Sequence, residues 1–248
     1  MIILSILFFI TAILYSSVGF GGGSTYLALL LIWDTPYYIF PVIALLCNIV
    51  VVTGNSINYV RAGNHNFKLL IPFLIGSIPL AFLGGTLIIN KNVFEILLFL
   101  VLSIAGLLLL INNRSYEDKN IKIKKLNLII SFLIGSTLGL ISGIVGIGGG
   151  IFLSPILFLL KADKPKNIVT TASLFILINS IPGILGQLTK ETVLNEIILY
   201  WPLFFAVLVG GLFGNYLNLK IFSNRVLALM TSFLVIFVAF RMAYKIFV

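Results

Sequence analysis

Val18-Gly19-Phe20-Gly21-Gly22-Gly23 returns in the second half of the chain as Val145-Gly146-Ile147-Gly148-Gly149-Gly150, with only Phe20 and Ile147 differing, and both copies lie inside long apolar stretches. Three successive glycines are where a helix breaks. At membrane depth a broken helix leaves N–H and C=O groups without partners, which is tolerated only when that backbone is buried in protein or lines a polar cavity. Two such breaks at matching places in two halves point to the binding site of a transporter.

Composition agrees with a membrane setting. The chain is 60% hydrophobic and 9% charged, with a mean hydropathy of +1.19, and its apolar runs repeatedly reach the roughly 20 residues that span a bilayer. The expected fold class is an all-α polytopic membrane protein whose bulk partner is the lipid bilayer, placed in a bacterial-type plasma (inner) membrane. A net charge of +9 would suit nucleic acid in a soluble chain. Here the basic residues sit between apolar segments, as the positive-inside rule requires, so no nucleic-acid partner is expected. The single Cys47 can form no intrachain disulfide. Met1 to Phe9 is apolar like a signal-peptide core, but it lacks a basic leader and a small-residue cleavage site, and it reads as mature structure.

Apolar runs bounded by charges, Pro and Asn divide the chain into segments at about 2–33, 37–60, 67–89 and 93–111, then 126–160, 166–188, 195–218 and 223–247. This makes residues 1–111 a first transmembrane repeat of four hydrophobic segments and 126–248 a second. Residues 112–125, which carry Arg114, Lys119, Lys122, Lys124 and Lys125, form a basic cytoplasmic bridge between them. The spacing is kept well beyond the glycines: Pro36 matches Pro165, Thr53-Gly54 faces Pro182-Gly183, and Pro72 with Gly84 matches Pro202 with Gly214.

The first segment of each repeat is too long for one ordinary span. About 32 residues of helix would reach roughly 48 Å against a hydrocarbon core of about 30 Å. If the segment crosses once, the halves are parallel. If it turns back at the Gly triplet as a re-entrant hairpin, each half makes three crossings and the repeats are inverted. Loop charges favour the second geometry, because it leaves only Lys91, Lys190, Arg241 and Lys245 on the face opposite the remaining Lys and Arg residues. Inverted repeats with both termini outside are therefore the preferred arrangement.

A glycine turn followed by a helix exposes backbone N–H groups, to which the helix dipole adds about half a positive charge, and the two together suit an anion. The candidate substrate-binding residues are thus Gly21, Gly22 and Gly23 with the hydroxyls of Ser24 and Thr25, and Gly148, Gly149 and Gly150. The other reading of the glycines is close helix packing. Polar residues within apolar segments are candidates to line the path: Asn48, Thr53, Asn55 and Asn58, then Thr170, Thr171, Ser173, Asn179 and Gln187. Hydrogen bonding between helices is the alternative for each taken singly. Ser77, Ser103, Ser131, Ser136 and Ser142 fit small-residue packing.

The acidic residues Asp34, Glu95, Glu117, Asp118, Asp163, Glu191 and Glu196 all fall at segment ends or in loops, so no mid-membrane carboxylate relay is expected. Arg241 reads as snorkelling to the interface, His65 as a solvated loop residue and Cys47 as a small buried hydrophobe. No metal-ligand cluster, nucleotide loop or nucleophile triad is visible; Gly21-Gly22-Gly23-Ser24 lacks the lysine of a phosphate-binding loop. A cofactor, a metal and an enzymatic role are therefore not expected.

At these residues the chain resembles the TauE/SafE sulfite exporter family, also called toluene sulfonate uptake permeases. The resemblance rests on Gly146-Ile147-Gly148-Gly149-Gly150-Ile151-Phe152-Leu153-Ser154-Pro155 and on Gly210-Gly211-Leu212-Phe213-Gly214, and it covers essentially the whole length. The first copy departs from the pattern, with Ala28 in place of the proline and Ser24-Thr25-Tyr26 where apolar residues are usual. The resemblance implies a secondary transporter moving sulfite, organosulfonates or related small anions without ATP. A passive anion channel and a non-transport scaffold are the alternatives, and homo-oligomerisation is left open.

Overall fold

A computed structural model describes residues 1–33, 35–111, 123–190 and 196–218, with isolated positions 233, 236 and 240. The last apolar segment at 223–247, apart from those positions, lies outside the described residues, as do Arg241, Lys245, the bridge up to Lys122, Asp34 and Glu191. Among the described residues every regular element is a helix. In order come α1 (Ile2–Val18), α2 (Gly23–Ile32), a short 3₁₀ turn, α3 (Phe40–Arg61), α4 (Phe67–Thr86), α5 (Lys91–Ile111), α6 (Leu128–Val145), α7 (Gly150–Leu159), α8 (Pro165–Gln187), a second 3₁₀ turn and α9 (Trp201–Asn218).

Among the described residues six helical stretches are long and apolar enough to cross a membrane: 37–61, 67–86, 91–108, 128–145, 165–187 and 197–217. At ten residues each, α2 and α7 reach only about 15 Å and cannot span alone. Large apolar side chains such as Ile6, Ile75, Leu100, Leu133 and Leu212 are exposed on the outer helices. On an isolated soluble chain so much exposed apolar surface would drive aggregation; here it is the lipid-facing surface. The chain is an integral membrane protein.

Helix pairing crosses between the halves. α1 packs most extensively on α9, and α6 on α4, while α3 and α8 pack on each other as the two most buried spans. Small residues make the closest seams possible. Gly135, Gly139 and Gly143 of α6 lie against the backbones of Phe73, Ser77 and Ala81 of α4, and Gly210 and Gly214 of α9 lie against Phe9 and Ile13 of α1. Lipid gives little hydrophobic drive for helix association, so such backbone approach supplies the packing energy. Two of the serines that fit small-residue packing sit here: Ser77 meets Gly139, and Ser136 meets Gly76.

Contacts between connecting segments gather the helix ends into two groups. In one, the Lys124 N–H donates to the Lys161 carbonyl at 3.0 Å, and Asn66 Nδ2 donates to Asp163 Oδ2 at 2.7 Å. The start of α6, the end of α7 and the start of α4 therefore lie together. In the other, Tyr38 donates to Glu196 at 2.6 Å and packs near Tyr37, which meets Phe94, while Met1 and Ile2 share a groove with Trp201 and Pro202. His65 is exposed in the α3–α4 turn against Phe67, and Cys47 is fully buried.

Candidate functional site

Both glycine stretches interrupt the helix at the same residue. α1 ends at Val18 with Gly19 left-handed (φ 86°), and α6 ends at Val145 with Gly146 left-handed (φ 89°). The next helices begin from Gly22 (φ 82°) and Gly149 (φ 73°), again in the left-handed region. An L side chain there would cost about 1–2 kcal/mol, which is why glycine occupies both starts.

The two turns meet around one side chain, the fully buried Asn48 of α3. Its Nδ2 donates to the Ile147 carbonyl in the second turn at 3.0 Å. A Cβ on Gly21 in the first turn would overlap the Asn48 amide. One on Gly23 would fall 2.7 Å from Asn48 Nδ2 and 2.9 Å from the Ile147 carbonyl oxygen, and one on Gly148 would fall 2.9 Å from Asn48 Nδ2. Gly21, Gly23, Gly148 and Asn48 thus form a single cluster that depends on the missing side chains. Gly150 is closed off from the other side by Ile176 and the Ala172 carbonyl of α8.

The cluster holds unpaired donors. Residues 19–28 and 145–155 are all buried. Among the described residues nothing accepts a hydrogen bond from the N–H groups of Gly21, Gly22, Gly23 or Ser24, nor from those of Ile147, Gly148, Gly149 or Ile151. Orphan N–H groups are normal at helix N-termini, but water or a cap usually meets them. Neither α2 nor α7 has a side-chain cap. The Asn48 Oδ1 atom and the Tyr26 hydroxyl are also buried without a partner among the described residues. The site is uncharged, donor-rich and buried.

The remaining sequence candidates divide. Ser24 and Thr25 turn towards α1, where the Tyr15 hydroxyl lies 3.2 Å from Ser24 Oγ and 2.7 Å from Thr25 Oγ1. Asn55 is buried one stage further along α3, its Oδ1 3.4 Å from Ser16 Oγ and its Nδ2 unpartnered among the described residues. Ser173 bonds Ser56 across the α3–α8 crossing at 3.1 Å, and Asn58 bonds Asn215 at 3.2 Å. These residues carry a polar trail from the turns towards the α3–α4 end of the bundle. Thr53, Thr170 and Thr171 instead satisfy carbonyls of their own helices, at 2.6, 2.8 and 2.8 Å, and take no part in the cluster. Asn179 likewise donates to Phe175 at 2.9 Å, though Phe175 itself packs on Gly149, and Gln187 donates to Gly143 at 2.7 Å. Among the described residues no group of His, Cys, Asp and Glu could hold a metal ion.

Tyr15 and Tyr26 were not legible as site residues. Their position depends on α2 lying against α1, where the Phe8 and Tyr26 rings stack at 4.7 Å. No spacing rule connects residue 8 to residue 26. A buried tyrosine four residues before a glycine break, opposite a Ser-Thr pair, is the only hint the sequence carries.

Long apolar helices enclosing a buried, uncharged donor cluster at two helix breaks are the architecture of a polytopic membrane transporter. Comparison with known proteins specifies the family: the family described as Sulfite exporter TauE/SafE matches residues 4–242, and this chain belongs to it. The chain is 27% identical to the probable membrane transporter protein y4hK of Sinorhizobium fredii over 93% of both chains. It is 31% identical to the probable membrane transporter protein MJ0441 of Methanocaldococcus jannaschii over 77% of this chain and 73% of that one. It is 23% identical to the probable membrane transporter protein YunE of Bacillus subtilis over 98% and 97%. No solved structure matches it significantly.

Proposed function

We propose that the protein is a secondary permease for a small sulfur oxyanion, sulfite or an organosulfonate, bound where the two glycine turns meet at Asn48. The observation that carries this reading is the pair of buried, uncapped helix starts whose N–H groups have no acceptor among the described residues. An oxyanion supplies several acceptor atoms at once and needs no lysine when backbone dipoles converge on it. The unpartnered Asn48 Oδ1 adds an acceptor, so an oxyanion that carries one proton would satisfy both kinds of group. The family's description supports sulfite as the first substrate to try.

Transport needs the site to reach both faces, and an inverted repeat accomplishes this by rocking one half against the other. In this reading residues 1–111 and 126–248 are the two repeats, joined by the cytoplasmic bridge at 112–125, and α1–α2 and α6–α7 are re-entrant hairpins. The Lys124–Lys161 bond supports the second hairpin, because it joins the segment leading into α6 to the segment leaving α7. The Phe8–Tyr26 stack and the Tyr15–Thr25 bond support the first. Cysteines placed at Lys124 and Lys164, with Cys47 buried, test the hairpin: both should react with an impermeant reagent from the cytoplasm only, and one at Ile88 from outside only. Labelling of Lys124 and Lys164 positions from opposite faces would mean that the segment crosses. For the site, Asn48→Asp should remove anion exchange from a folded, inserted protein, since it places a carboxylate between the turns; exchange at the wild-type rate would refute the assignment.

A further inference from the structure

A cavity of about 330 Å³ opens at the end of the bundle opposite the basic loops, and its lining includes Tyr37, Pro41, Leu87, Ile144, Gln187 and Lys190. It is mostly apolar, yet it contains one cation. Lys190 Nζ donates to Gln187 Oε1 at 2.9 Å, and among the described residues no carboxylate lies within ion-pair distance of it. The other described lysine at this end, Lys91, already has Glu95 at 4.0 Å. Glu196 stands behind the cavity wall, accepting the Tyr38 hydroxyl. An ammonium of intermediate exposure with only a neutral partner among the described residues is a site that favours an anion, and burial lowers its pKa from the ordinary lysine value.

The cavity is tied to the glycine site. Pro41 and Ile144 form part of its wall, and a Cβ on Gly146 of the second turn would overlap Pro41. The link is also made through hydrogen bonds: Gln187 holds Lys190 with its Oε1 while its Nε2 donates to the Gly143 carbonyl in the last turn of α6. The ammonium is therefore held in the wall of a cavity that adjoins the second turn.

We propose that this cavity is an anion-capture vestibule, in which Lys190 concentrates the small oxyanion before it reaches the glycine turns. The inference builds on the transport reading above, and its test has one arm independent of transport. A Leu87→Cys protein, in which Cys47 is buried, is titrated with an anionic and a cationic methanethiosulfonate of similar size. Relative to their rates with a free thiol in solution, the anionic reagent should react faster than the cationic one by about fivefold at low salt, the gain expected from one charge about 8 Å away in a water-like dielectric. Adding Lys190→Gln should bring the ratio close to one, Lys190→Arg should keep it, and high ionic strength should shrink it. In proteoliposomes, Lys190→Gln should raise KM for sulfite on the vestibule face and lower kcat/KM several-fold, by the same factor from both faces because the substitution leaves the transport equilibrium unchanged. A reagent ratio indifferent to Lys190→Gln overturns the vestibule. Absence of any anion transport by the wild-type protein would instead overturn the permease reading while the labelling result stood.

Discussion

Replacing Gly23 by alanine adds one methyl group where the two glycine turns touch. Its Cβ would fall 2.9 Å from the Ile147 carbonyl oxygen and 2.7 Å from Asn48 Nδ2, the two atoms that bond each other at 3.0 Å. Ordinary contact needs about 3.4 Å or more, so the turns must separate by about half an ångström. Neither neighbour is free to give way, because one is backbone and the other is a short side chain buried on α3. Overpacking of this kind costs about 1–3 kcal/mol. If the Asn48 bond breaks in the process, a buried amide is left unpaired at about 1–3 kcal/mol more. An effect of about 2 kcal/mol on the bound state corresponds to about thirtyfold in affinity. Gly211→Ala is the matched control, since the nearest atom to its Cβ is at 3.6 Å, in ordinary contact with Val51. The assay is labelled sulfite exchange in proteoliposomes together with thermal unfolding in detergent. Gly23→Ala should weaken exchange at least tenfold with the protein still inserted, and Gly211→Ala should match wild type. Wild-type exchange by Gly23→Ala would refute the idea that the contact between the turns forms the site.

Further expectations concern packing, hydroxyls and the connecting loops. Gly139→Leu, whose side chain would meet the Ser77 backbone, should prevent stable insertion, measured as loss of monodisperse protein on size exclusion. Tyr15→Phe removes the hydroxyl shared with Ser24 and Thr25 and should alter preference between sulfite and a bulkier sulfonate, read as a change in the ratio of their KM values, while lowering stability by only about 1 kcal/mol. Asp163, 4% exposed, accepts from Asn66, the Lys164 N–H and Asn167 at 2.7, 2.7 and 3.1 Å; Asp163→Ala should destabilise by about 3 kcal/mol in thermal unfolding, and Asp163→Asn by less.

What the sequence reveals here follows from chemistry that is local along the chain. The interruptions at Val18 and Val145 are legible because adjacent glycines break a helix wherever they sit, and their duplication identifies them as a feature of the architecture. The apolar spans are legible because lipid demands about 20 residues, which composition alone reports. Partnerships between distant residues are not. Asn48 stands out as an asparagine in an apolar helix, but that it joins the first turn to Ile147 depends on a contact across 99 positions. Thr170 and Thr171 resemble Ser173 in sequence and differ only in bonding their own helix, which no spacing reveals. Lys190 reads as one more loop cation until α4, α8 and the turn before α3 close a cavity around it.

The central claim is that the protein exchanges a small sulfur oxyanion through a saturable site. Counterflow of labelled sulfite into proteoliposomes loaded in turn with sulfite, thiosulfate, sulfate, an organosulfonate or acetate tests it most directly. The account expects transient, saturable accumulation driven by one or more internal sulfur oxyanions and none driven by acetate. Absence of counterflow with every internal anion, or flux that rises linearly with concentration for sulfite and acetate alike, would contradict it.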